Sequence, residues 1–210
     1  RKQPDTFPGW FTHNDYEDGM REIQDSLAMG YAPSQGCLLD LGCGAGNFSI
    51  RLAGLGYEVT GIDISNTAIE WARLDNSGPS VTYLCSNAVT LTDFEDDAFD
   101  FAFDGHFLHC IIGDDRRTLL QNVKRVLRPG GYFMVRSIVW PVTSGGGALK
   151  IDEETHTAFM NGTPYRYYTA AEDLVDEVES AGFGVRHWRY TVTSSDGYGF
   201  QHVVMQCVKN

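Results

Sequence analysis

From residue 37 onward, short apolar runs alternate with stretches whose apolar residues recur every three or four positions, which predicts strands alternating with helices. Cys37 to Leu41 is an apolar run stopped by glycine and reads as a buried strand. Asn47 to Leu55 reads as a helix, with Phe48, Leu52 and Leu55 roughly on one face. Tyr57 to Ile62 is a second strand carrying β-branched residues. Ser65 is placed to cap a helix through about Leu74, with Ala68, Ile69 and Ala72 facing in. Val81 to Cys85 makes a third strand and, past an acidic turn from Asp93 to Asp97, Phe99 to Phe103 a fourth. The next helix runs from about Asp115 to Leu127, with Leu119, Leu120, Val123, Val126 and Leu127 at helical spacing. Arg128-Pro129-Gly130-Gly131 ends it, because proline cannot continue a helix and glycine suits a left-handed cap. Tyr132 to Val139 is the fifth strand.

Past residue 140 the texture changes. Pro141 to Pro164, with Gly145-Gly146-Gly147 and few apolar residues, reads as a mobile loop with room for one helical turn. Thr169 is expected to cap a helix to Ala181, closed by Gly182, with Leu174, Val175 and Val178 inward. Val185 to Thr193 and His202 to Lys209 alternate and read as an antiparallel pair at the end of the sheet, joined through Ser194 to Gly197. Before the sheet, Asp15 to Met29 reads as a helix preceded by Phe7, Trp10 and Phe11. The order strand, helix, strand throughout the middle predicts an α/β fold with a parallel sheet.

Composition narrows the function classes. The 210 residues include 28 acidic and 16 basic ones, a net charge of −12, and the length suits one core rather than two domains. Nucleic acid as a partner is not expected, because phosphates need clustered Lys and Arg. Here only Lys124, Arg125 and Arg128 cluster, at a helix end where the helix dipole explains them. The five cysteines form no C-x-x-C pair, so no zinc site or redox pair is expected and buried free thiols in a reducing compartment are. No apolar run approaches the roughly 18 residues of a membrane span, and Arg1 to Thr6 is polar, without an apolar signal region. No membrane association is expected, and the expected location is the cytoplasm.

The candidate chemistry sits at the first strand's exit. Strand, Gly42-x-Gly44-x-Gly46 turn and helix together mark a nucleotide-type site, since glycine lets backbone approach a ligand closely. Asp63, at the second strand's end, suits the two ribose hydroxyls. Asp40 separates the cofactor classes. A carboxylate there would repel a pyrophosphate but attract an ammonium and a sulfonium. The spacing also departs from the G-x-G-x-x-G dinucleotide fingerprint.

Leu38 to Asn47, Gly61 to Ser65, Phe99 to Phe103, Leu108-His109-Cys110 and Val126 to Gly131 together resemble the class I (Rossmann-like) S-adenosylmethionine-dependent methyltransferases. The resemblance covers roughly residues 36 to 139. It implies a three-layer αβα sandwich around a seven-stranded, mostly parallel sheet whose last strand is antiparallel. It implies S-adenosylmethionine as cofactor and S-adenosylhomocysteine as product. Gly42, Cys43, Gly44 and Gly46 would pass under the methionine part, with Asp40 near its amino group. Asp63 would bind the ribose, Ile64 would pack on the adenine, and Asn87 and Ala88 would lie near the adenine amine. Asp104 falls where the family's backbone meets the amino group, and Tyr16 would join from the N-terminal extension.

Methyl transfer to a hydroxyl needs a proton removed, and His106 and His109, just past the fourth strand, are the candidate bases. Trp10, His156, Tyr165 and Tyr167 are candidate contacts to a small-molecule acceptor. The expected organisation is one methyltransferase domain over residues 1–210: a helical lid (1–34), a cofactor core (36–139), a substrate-side loop (140–168) and a C-terminal helix with two strands (169–210). The competing readings are a non-catalytic module binding the same cofactor, aminopropyl transfer, and a nicotinamide-dependent oxidoreductase.

Overall fold

The computed structural model describes residues 13–143, 149–193 and 199–210. Its first half alternates as expected. Helix α1 (His13–Ala28) precedes β1 (Gly36–Leu41), α2 (Asn47–Gly54), β2 (Tyr57–Asp63), α3 (Asn66–Asp75), β3 (Val81–Cys85) and β4 (Phe99–Gly105). A 3-10 turn (Leu108–Cys110), α4 (Asp115–Val126) and β5 (Leu127–Thr143) follow. Then come β6 (Leu149–Ile151), β7 (Thr157–Met160), β8 (Thr163–Tyr167), α5 (Ala171–Ser180), β9 (Phe183–Thr193) and β10 (Gly199–Lys209).

Seven strands form one sheet in the order β3-β2-β1-β4-β5-β10-β9. The β1–β5 pairings are parallel, and β10 runs antiparallel to both β5 and β9. Side-chain alternation feeds two cores. Leu39, Leu41, Ala102, Phe133, Val135, Val203 and Met205 face α4 and α5, and Leu38, Phe101, Phe103, Met134 and Val204 face α1 and α2. Helices on both faces make the three-layer sandwich that the alternation implies. Chain direction reverses in sheet order between β1 and β4, so their carboxyl ends open the crevice where ligands of such sheets bind.

Three expectations past residue 126 are corrected. The strand expected from Tyr132 begins at Leu127, which already pairs with Phe99, so the Pro129-Gly130 segment is a bulge inside it. The stretch read as a mobile loop instead folds, in its described part, into an antiparallel three-stranded sheet, β6-β7-β8. Turns at Asn161 (φ 53°) and Gly162 (φ 80°) allow the β7–β8 hairpin. Its apolar residues are few because only Ala158 and Ile151 pack inward, with Ile138 and Tyr168. The Thr169 cap is also corrected: Ala170 is the N-cap residue of α5, and Thr169 Oγ1 donates to Asp173 Oδ2 at 3.2 Å.

Where it is described, the helix of the expected lid over residues 1–34 packs one face on the core. Tyr16, Met20 and Ile23 of α1 are buried against Phe48, Phe103 and Met134. Trp10 lies outside the described residues. The basic cluster of α4 has partners beyond the helix dipole: Arg125 reaches Asp96 and the carbonyls of Leu91 and Phe94, and Arg128 reaches Asp100.

Arg116 ties the small sheet to the main body. It makes two hydrogen bonds to Glu177 at 2.8 and 2.7 Å and donates to the carbonyls of Leu108 and Ile111. Its guanidinium lies 3.8 Å from the centre of the Tyr167 ring. Arg116→Ala is expected to lower folding stability by about 2–3 kcal/mol, since these are charge-assisted bonds. Urea denaturation checks it; a change within error would show that water replaces the whole network.

Candidate functional site

The loop after β1 is held from several sides. Gly42 has φ 65°, and a Cβ there would come within 2.3 Å of the Phe107 ring, so only glycine lets the segment after β4 close against it. Gly44 has φ 55°, and the space beside it is open, which leaves bare backbone facing the crevice. The Cys43 N–H donates to the Ile62 carbonyl, and the Gly44 N–H donates to Asp63 Oδ2 at 3.0 Å. Asn76, at the end of α3, donates to the Ala45 carbonyl, and the Tyr83 hydroxyl donates to that of Gly46. Tyr16, buried on α1, donates to the Asn47 carbonyl at 2.6 Å.

Three carboxylates surround this loop. Asp40 is buried and accepts a 2.5 Å hydrogen bond from Ser49 Oγ. Asp104 pairs in register with Leu41 and is also buried. Its Oδ1 accepts from the N–H groups of Phe107 and Leu108, while its Oδ2 is buried with no hydrogen-bond partner among the described residues. Burial raises both acids to about 7, and their mutual repulsion adds to the rise for Asp40. A buried carboxylate oxygen without a donor is a costly arrangement that a cationic ligand would relieve. Asp63, half-buried at the end of β2, also accepts from the Ser65 N–H at 2.8 Å.

The remaining cofactor candidates line the crevice's rim. Ile64 is 74% exposed beside Asp63 and available to a flat ligand. Asn87 is exposed and its Oδ1 accepts from the Val89 N–H, a turn that leaves its amide nitrogen outward; Ala88 beside it is buried. The Cys43 thiol is pushed up by burial and by Asp40 and Asp63, so it stays neutral.

The two histidines separate. His106 has φ 73°, a left-handed conformation that costs a non-glycine residue about 1–2 kcal/mol. Its N–H donates to the Arg136 carbonyl at 2.8 Å. Arg136 Nη1 lies 3.4 Å from His106 Nδ1, and a guanidinium has only donors, so Nδ1 accepts. The proton is thereby assigned to Nε2, which donates to His202 Nδ1 at 2.6 Å. Arg136 is in turn held by Glu22 at 2.6 Å. His106 is thus a link in a buried polar chain and offers no lone pair to an acceptor's proton. His109 is buried, stacks on Tyr168 with ring centres 6.1 Å apart, and has Nδ1 without a partner among the described residues. Burial first, then the charges of Arg166 and Arg116 with His202, pushes it down to about 3.

Of the acceptor candidates, Tyr167 is committed to Arg116, and His156 packs edge-on against Tyr167 at 5.9 Å. Tyr165 is half-buried under the Arg166 guanidinium, 4.0 Å from its ring centre. Sequence reasoning missed Ser49, Tyr83, Asn76, Glu22, Arg136 and His202. None belongs to a local motif; each reaches the site from another element.

Residues 39–135 match the methyltransferase domain family. An O-methyltransferase from Aspergillus sclerotiorum is 40% identical over 106 residues, covering 48% of this chain and 39% of the relative. A ubiquinone biosynthesis O-methyltransferase from a Chelativorans species is 34% identical over 148 residues, covering 69% of this chain and 57% of the relative. The chain therefore spans about half the length of these curated relatives. A solved S-adenosylmethionine-dependent methyltransferase from Methanosarcina mazei superposes with a TM-score of 0.70 at 25% identity, covering 87% of this chain and 96% of that one. The sheet order, the glycine loop between Asp40 and Asp63, and these likenesses agree: the chain belongs to the class I S-adenosylmethionine-dependent methyltransferase family.

Proposed function

We propose that this chain binds S-adenosylmethionine in the β1–β4 crevice and transfers its methyl group to a small molecule. The observation that carries the reading is the unpartnered, buried Oδ2 of Asp104 beside Asp40 and the open backbone at Gly44. Asp104 and Asp40 hold the cofactor's ammonium, Asp63 accepts from its ribose hydroxyls, and Ile64, Asn87 and Ala88 take the adenine end. When bound, the cofactor supplies a methyl group already activated by a positive sulfur. The chain's own task is then to orient a nucleophile and exclude water. His109 accepts a hydrogen bond at Nδ1 from the acceptor. Held neutral and weakly basic, it orients the nucleophile rather than deprotonating it, which favours an acceptor that is itself acidic or already nucleophilic. The sheet β6–β8, with Tyr165, forms the acceptor side. The five thiols, none in a disulfide, fit a cytoplasmic setting, and no described helix is long and apolar enough to cross a membrane.

Calorimetry with S-adenosylhomocysteine and with NAD tests the reading. S-adenosylhomocysteine should bind, NAD should not, and Asp63→Ala should weaken binding by roughly 10- to 100-fold, the worth of about 1.5–3 kcal/mol of charge-assisted hydrogen bonding. Binding of NAD alone, or unchanged affinity in folded Asp63→Ala, would overturn it.

A further inference from the structure

The small sheet β6–β8 lies beyond the stretch that matches the family, and it packs on the 3-10 turn that carries His109. Arg116, Arg125, Arg128 and Arg136 each reach a carboxylate. Arg166, half-buried on β8, pairs with none among the described residues. It spends one N–H on the Tyr165 carbonyl at 2.8 Å and rests over that residue's ring. Alternation along the extended chain puts Arg166 on the same side as Tyr168, whose ring stacks on His109. Arg166 and His109 are within electrostatic reach of each other. Cys110, next to His109, is within electrostatic reach of Arg166 and also of Asp104 and Asp63. Among the described residues, a guanidinium that meets no carboxylate, a buried imidazole nitrogen without a partner and the Tyr168 ring are thus grouped about the 3-10 turn.

We infer that the methyl acceptor carries a carboxylate, bound by Arg166, and presents a hydrogen-bonding group to His109 Nδ1 beside the Tyr168 ring. This rests on the cofactor reading above, which places the reacting end at this crevice. A carboxylate fits better than a phosphate. Among the described residues Arg166 is the guanidinium here that meets no carboxylate, and a second negative charge would meet Asp104 and Asp63 in a chain whose net charge is −12. A guanidinium fork matches a carboxylate bidentately, and a planar aromatic acid complements the Tyr168 ring.

The full chain loaded with S-adenosylhomocysteine should be titrated with benzoate, 4-hydroxybenzoate, 3,4-dihydroxybenzoate and 4-hydroxycinnamate, each beside its methyl ester. At least one acid should bind about tenfold or more tighter than its ester, the scale of one charge-assisted hydrogen bond. Arg166→Gln should erase that preference and Arg166→Lys should keep part of it. Both variants should bind S-adenosylhomocysteine as the parent does. Esters binding as well as acids, no acid binding at all, or a preference surviving in Arg166→Gln would overturn the inference. Failure of S-adenosylhomocysteine to bind the parent would instead sink the cofactor reading.

Discussion

Replacing Arg136 with methionine is expected to lower folding stability by about 3–5 kcal/mol, the cost of breaking a buried ion pair from one side. Arg136 is fully buried on β5, and its partner Glu22 on α1 is nearly so. Without the guanidinium, Glu22 loses its buried ion pair, and His106 loses the donor that sets its tautomer. A chain of this size should lose on the order of 6–20 °C in thermal midpoint. The double variant Glu22→Leu with Arg136→Met should recover most of the loss, because apolar residues of similar volume replace a buried pair at little cost. Scanning calorimetry of the single and double variants checks this. A double variant no more stable than Arg136→Met would show that the cost lies in packing rather than in the stranded charge.

Asp104→Asn should weaken cofactor binding by about 30- to 700-fold, equivalent to roughly 2–4 kcal/mol for losing one partner of a buried charge pair. The substitution keeps an oxygen for the Phe107 and Leu108 N–H groups, so the turn after β4 should persist. The unliganded variant should also be more stable than the parent at pH 8. Asp104 titrates near 7 in the folded chain against an ordinary value of 3.8. A group raised in this way favours folding most below its ordinary value, and that advantage fades as pH rises through 7. The same raised values of Asp40 and Asp104 predict that cofactor affinity in the parent rises with pH through about 7 and then levels, because the ammonium requires them ionised. Calorimetry between pH 5.5 and 8.5 separates these effects. A pH-independent affinity in the parent would remove both acids from the ammonium's neighbourhood.

The first half of the fold was legible because its signals are local. Glycine after an apolar run, Ser65 Oγ accepting from the Ala68 N–H, and helical spacing in α4 each act within a few residues. The region from 141 to 168 was not legible. Its strands are short and bury few side chains against their own sheet, so they lack the apolar alternation by which a strand is recognised. The packing of α1 was illegible for a similar reason: amphipathic spacing shows that α1 has an apolar face, not that Phe48 and Phe103 cover it.

The crevice residues Asp40, Gly42, Gly44, Gly46 and Asp63 were determined by the sequence alone, since a backbone turn and two strand ends specify them over a short span. The roles of the histidines were decided by tertiary structure. His106 and His109 are three residues apart and chemically alike in the sequence. Arg136 and His202 occupy both nitrogens of one, while the other keeps a buried nitrogen with no partner among the described residues. Hydrogen-bond partners drawn from β5 and β10 set which lone pair is free. No local pattern encodes partners that distant in the chain.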